Sequence, residues 1–225
     1  NFMSATFGGS ANFMSATFGG SADFSNIKSF IGATIFENSS FELAPAFHNS
    51  ELHPDTSFNG AKFKRNDTDP AKAAPSWRTL KRAMNDAHNH EEEHLFFRYE
   101  MEAKLKQVSM KKPSEWLSAA QLAVYSVLSN YGWSYALPLF WLLLTVFGFT
   151  SFYYNHYYTV LPEMDDALSL SIASTIPFAS LSRVVLKGLS DPSVGLLVAT
   201  TLQGVISVAL LFLVGLGIRN RFTIK

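Results

Sequence analysis

Two apolar runs in the second half of the chain carry no charge at all: Tyr135–Tyr154, 20 residues, and Val194–Ile218, 25 residues. At about 1.5 Å of helical rise per residue, 20 residues cover about 30 Å, the thickness of a bilayer's hydrocarbon core. Trp133 and Tyr135 stand at one end of the first run and Tyr153, Tyr154, Tyr157 and Tyr158 at the other, as in aromatic belts. The second run is long enough to cross with tilt and stops at Arg219 and Arg221. Both runs are therefore predicted to be transmembrane helices. Charge is divided accordingly: of 36 charged residues, 6 fall in residues 1–61, 21 in 62–115 and only 9 in 116–225. A single soluble domain is not built this way. The formal net charge of zero excludes a generally basic nucleic-acid binder and a strongly acidic mimic. The absence of Cys removes disulfides, thiol catalysis and Cys-type zinc sites.

The flanking charges predict an orientation. Lys104, Lys106, Lys111 and Lys112 precede the first span, and Arg219, Arg221 and Lys225 follow the second. The connection holds Glu163, Asp165, Asp166 and Asp191 against Arg183 and Lys187. The positive-inside rule then places both termini in the cytoplasm, and two crossings agree with that. Within the connection, residues 166–177 are apolar and rich in small side chains but too short to cross, which predicts a re-entrant helix capped by Asp165 or Asp166 and ended by Pro177. Irregular backbone at membrane depth survives only against protein or water, so this plan requires a homo-oligomer. Residues 113–132, with Trp116, Leu117, Ala120 and Val124 at helical spacing, read as an interfacial helix ahead of the first span.

The N-terminal part is repetitive. Asn1–Ala11 recurs unchanged at Asn12–Ala22. Large apolar residues then continue at steps of five and six: Phe2, Phe7, Phe13, Phe18, Phe24, Phe30, Ile35, Phe41, Phe47, Leu52, Phe58 and Phe63, most with a small residue two positions earlier. Neither a helix nor one long strand has that period, whereas short strands with a turn after each do. The run resembles the pentapeptide-repeat family over roughly residues 1–63, which implies a right-handed quadrilateral β-helix. Because the chain opens in full repeat at Asn1, it reads as truncated there.

The membrane half resembles bacterial pentapeptide-repeat membrane proteins with a two-span, potassium-channel-like C-terminal domain. The matching residues are Ser129-Asn-Tyr-Gly-Trp-Ser134, Pro138 with Trp141, Ile176-Pro-Phe178 and Arg219-Asn-Arg-Phe222. The implied fold class is β plus membrane α: a β-helix over 1–66, a linker and charged helical connector over 67–112, an interfacial helix over 113–132 and a two-span domain over 133–225. The implied setting is the bacterial inner membrane. A potassium filter would place a TVGYG-like run after the short helix; Ser174-Thr-Ile-Pro-Phe178 stands there, so potassium selectivity is not implied.

In a pore, Ser171, Ser174 and Thr175 would present hydroxyls, and Glu163, Asp165 and Asp166 would form a cation-attracting outer ring. Gly195, Ala199, Gln203 and Ser207 share one face of the second span, and Gln203 is the only amide or ionisable side chain in either span. Such a face either packs helices together or lines a pathway. The connector contains His90-Glu-Glu-Glu-His94, a formal HExxH pattern with Glu91 as base and Glu100 or Glu102 as the only third-ligand candidates; a charge-dense helix favours a solvated face, with His88, His90 and His94 open to adventitious metal. No catalytic residue, cofactor or nucleic-acid partner is expected. The function expected is an oligomeric, weakly cation-selective channel-like protein whose repeats serve assembly, regulation or a cytoplasmic protein partner. The alternative is a non-conducting membrane-anchored scaffold.

Overall fold

The computed structural model describes all residues except 28–29, 65–68, 109–112, 177–184, 187, 189–192 and 223–225. It divides into two compact units, the first built on residues 1–123 and the second on residues 124–222.

The first unit opens with five two-residue strands: β1 Ala11–Asn12, β2 Thr17–Phe18, β3 Thr34–Ile35, β4 Ser40–Phe41 and β5 Lys62–Phe63. All pairing is parallel, β1 with β3 in one small sheet and β2-β4-β5 in another. The expected quadrilateral β-helix is corrected by this: strand accounts for 8% and helix for 58%, and the described residues form no solenoid. The turns supply the physical reason. Ser4, Ser15, Asn26, Asn38 and Asn49 take left-handed φ values of 54–59°, interrupting the chain after every second step, so only two residues at a time stay extended. What continues instead is the side-chain column. Phe2 stacks on Phe24, Phe13 on Phe36, Phe18 on Phe41, Phe24 on Phe47, Phe36 on Phe58 and Phe41 on Phe63, with centroids 4.7–5.2 Å apart and ring planes within 9° of parallel. That spacing follows the distance of about 4.8 Å between paired strands. Phe36, fully buried, fills the place assigned to Ile35, and Thr34 takes the small-residue position assigned to Ala33.

A helical hairpin covers one end of the column. Helix α1, Pro70–Asp86, starts where Asp69 accepts a hydrogen bond from the Ala71 amide and Pro70 occupies the first turn. Ser76 lies inside α1 and donates to the Lys72 carbonyl. Helix α2, His90–Gln107, is capped by Asn89, which accepts from the Glu92 amide. Trp77, Phe96 and Tyr99 from the hairpin meet Phe58 and Phe63 at 5.3–5.9 Å, mostly edge to face. Between the helices Glu100, 1% exposed, accepts from Arg78 and Lys104 on one oxygen and from Lys81 on the other. Burial alone would raise its pKa, but the three cations outweigh burial and hold it at about 2.

Helix α3, Pro113–Ser129, leads into the second unit. There, α4, Ala136–His156, and α6, Val194–Phe222, are long and apolar enough to cross a membrane. In their most apolar stretches only 17% and 28% of residues are buried, which is the opposite of a soluble core helix. Apolar side chains left outside over two full-length helices define a membrane-associated protein. Helix α6 runs four residues past the expected end, because Arg219 and Arg221 complement the negative end of the helix dipole. The short helix α5, Met164–Thr175, packs against both spans. Pro177, expected to end it, lies outside the described residues.

A left-handed elbow joins α3 to α4. Asn130, Tyr131 and Gly132 have φ of 49°, 57° and 80° in succession. For the two residues with side chains that conformation costs about 1–2 kcal/mol each. Gly132 is required twice over, since a Cβ there would also meet the Tyr125 hydroxyl at 2.7 Å.

Candidate functional site

Gln203 sits nine residues into α6, about 14 Å from its start. It is fully buried and satisfied on every side. Its Oε1 accepts from the Tyr153 hydroxyl of α4 at 2.8 Å. Its Nε2 donates to the Ser171 carbonyl at 2.9 Å, to Ser171 Oγ at 2.8 Å and to Thr175 Oγ1 at 3.2 Å, all on α5. Ser171 Oγ in turn donates to the Val146 carbonyl of α4 at 2.9 Å. One amide thus holds three helices in an apolar surrounding where an unmade hydrogen bond costs most. Ser174 Oγ and Thr175 Oγ1 complete their bonding on α5 itself, to the carbonyls of Leu170 and Ser171.

Ser171, Ser174, Thr175 and Gln203 are therefore brought together, but turned into the subunit, with exposures of 0–9%. Of the shared face of α6, Ala199, Gln203 and Ser207 are buried and Gly195 is exposed. Ser207, one turn beyond Gln203, is buried with no hydrogen-bond partner for its hydroxyl among the described residues. The acidic group lies elsewhere: Glu163, Asp165 and Asp166 are exposed at the start of α5. The expected cap differs, since Glu163 is the N-cap without a side-chain bond, and the two Asp residues lie in the first turn, where the helix dipole favours them.

Tyr153 is the participant that sequence reasoning missed. It was grouped with the interfacial tyrosines, yet it lies on the α4 face of Val146 and Thr150, one or two turns away, and that helical phase separates it from Tyr154 and Tyr158. A shallow apolar groove of about 530 Å³ runs along α4 and α6, lined by Trp141, Leu144, Gly148, Phe149, Phe152 and Leu202 among others.

In the first unit, the HExxH positions diverge. His90 Nδ1 pairs with Glu93 at 3.1 Å, Glu91 points outward, and no three His, Asp or Glu side chains among the described residues are grouped to hold a metal ion. Glu92 turns inward, and its Oε1 accepts from the Phe58 amide at 2.9 Å. Its Oε2 is buried without a hydrogen-bond partner among the described residues. Burial first, then the neighbouring Glu91 and Glu37, push its pKa up to about 7 against the lowering effect of the Phe58 bond.

No known protein family, curated protein or solved structure matches the chain.

Proposed function

We propose that the chain is the subunit of an oligomeric, weakly cation-selective membrane pore, with the first unit serving assembly or regulation on the cytoplasmic side of a bacterial inner membrane. The observation that carries this reading is α5. Twelve residues reach about 18 Å, little more than half of a bilayer core, and the helix lies between two full spans, level with Gln203 at its C-terminal half. A helix that stops inside the membrane leaves carbonyls and the negative end of its dipole there, and only neighbouring protein or water can satisfy them. The acidic first turn is exposed at the other end and would concentrate cations at the mouth. The resemblance noted in Ser129–Ser134 and Arg219–Phe222 supports the same plan, and the basic flanks of the spans support cytoplasmic termini.

A second reading, a non-conducting scaffold held in the membrane, is favoured by the closure of the Gln203 lock. If Ser171, Thr175 and Gln203 serve only to fix α5, any lining is drawn from other residues. Ion flux decides. Purified protein in liposomes is expected to pass potassium and sodium above empty vesicles and to favour both over chloride. A Glu163→Gln/Asp165→Asn/Asp166→Asn variant, altered only at exposed positions, is expected to lower cation flux severalfold with the fold unchanged. No flux from a verified oligomer would leave the scaffold.

A further inference from the structure

The elbow between α3 and α4 is tied to a distant part of the chain. Asn220 Nδ2, in the last turn of α6, donates to the Gly132 carbonyl at 3.1 Å. Gly217, one turn earlier, lies so close that a Cβ would meet the Tyr135 backbone at 2.9 Å. The Arg221 guanidinium lies over the Tyr135 ring, 5.4 Å from its centre. Within the elbow, the Gly132 amide donates to Ser129 Oγ and to the Ser129 carbonyl, both at 3.1 Å, and the Ser134 amide donates to the same carbonyl. Ser129 is fully buried. Trp141 Nε1 donates to the Val127 carbonyl at 3.1 Å, so α4 also holds the last turn of α3.

Three consecutive left-handed residues are not a resting state of free backbone, because two of them carry side chains. They persist because the contacts around them over-determine the turn, and one of these contacts belongs to the far end of the chain. We infer that the Asn130–Gly132 elbow is a latch, closed by the Asn220 amide, through which the position of α3 and the last turn of α6 are coupled. A displacement of α3 opens the left-handed turn and frees the end of α6; a displacement at the end of α6 removes the carbonyl's partner and lets the turn relax. The coupling is independent of whether the chain conducts ions.

The test uses the full chain in detergent or nanodiscs. With no Cys in the sequence, Val127→Cys and Phe222→Cys, both exposed positions, give a clean spin-label pair reporting the α3–α6 distance. The wild-type background is expected to give one narrow distance distribution. Asn220→Asp, which keeps the shape but cannot donate, and Asn220→Ala are both expected to broaden it or add a second distance. Amide exchange over residues 129–135 is expected to quicken about tenfold in both. Coupling is reciprocal, so Ser129→Ala, which loosens the elbow from within, must speed exchange at Leu216–Asn220 as well. Unchanged distances in a folded Asn220 variant would overturn the latch. So would a Ser129→Ala effect confined to the elbow.

Discussion

At Gln203 and Ser207 two buried polar side chains, one helical turn apart on α6, make opposite predictions. Gln203→Leu leaves the Tyr153 hydroxyl and the Ser171 carbonyl without the amide that joins them, and each stranded buried group costs about 1–3 kcal/mol. The variant is expected to loosen α5, seen as faster amide exchange over Ala167–Thr175 and a lower melting temperature in detergent. Ser207→Ala removes a hydroxyl that bonds to nothing among the described residues, and is expected to be neutral or slightly stabilising. Equal losses from the two would mean that the lock is not the source of α5's stability. The sequence exposes Gln203 as an exception in an uncharged span, but not whom it bonds. Its partners are a tyrosine 50 positions earlier and a serine 32 positions earlier, and only tertiary packing brings these together.

Among the elements, α2 is tied to the backbone of the phenylalanine column through one carboxylate, beside the ring contacts of Phe96 and Tyr99. Glu92 has a native pKa of about 7, above the 4.5 of the unfolded chain, so the folded state holds its proton longer. Its contribution is complete below pH 4.5 and is lost as pH rises through 7, about 3 kcal/mol in all. Glu100 acts with the opposite sign: its pKa is held at about 2, so its contribution is present above 4.5 and lost as pH falls through 2. Thermal melts between pH 5 and 8 are expected to fall with rising pH in the wild type and to stay nearly level in Glu92→Gln, which keeps the acceptor for the Phe58 amide. Parallel profiles would remove Glu92 from the account. The elements themselves were unevenly legible. Absence of charge over 20 and 25 residues specifies both spans, and the length of the intervening apolar stretch specifies α5. The repeat specifies which rings are buried, with Phe36 in place of Ile35, but not the extent of sheet. Apolar spacing reports what faces inward, while strand length depends on where the chain turns to positive φ at Ser and Asn.

For the molecule as a whole, charge is divided unequally along the chain, and the structure divides at residue 124, inside the stretch read as an interfacial helix. The pore reading carries a consequence at this scale, because one copy cannot both surround α5's inner end and leave a path for ions. Sedimentation in a mild detergent is expected to show a closed homo-oligomer; a stable monomer would favour the scaffold. The elbow was illegible for a related reason: residues 129–132 read as the end of the interfacial helix, and what holds the turn lies in Asn220, 88 residues beyond Gly132.

The order of synthesis gives the lock a temporal side. The α5 segment leaves the ribosome before α6, and at 12 residues it is too short to be taken up by the bilayer on its own. The amide that secures it belongs to a helix not yet made. On the pore reading the segment would wait at the membrane surface until its anchor had crossed, and chains stopped before residue 203 would be unable to seat it.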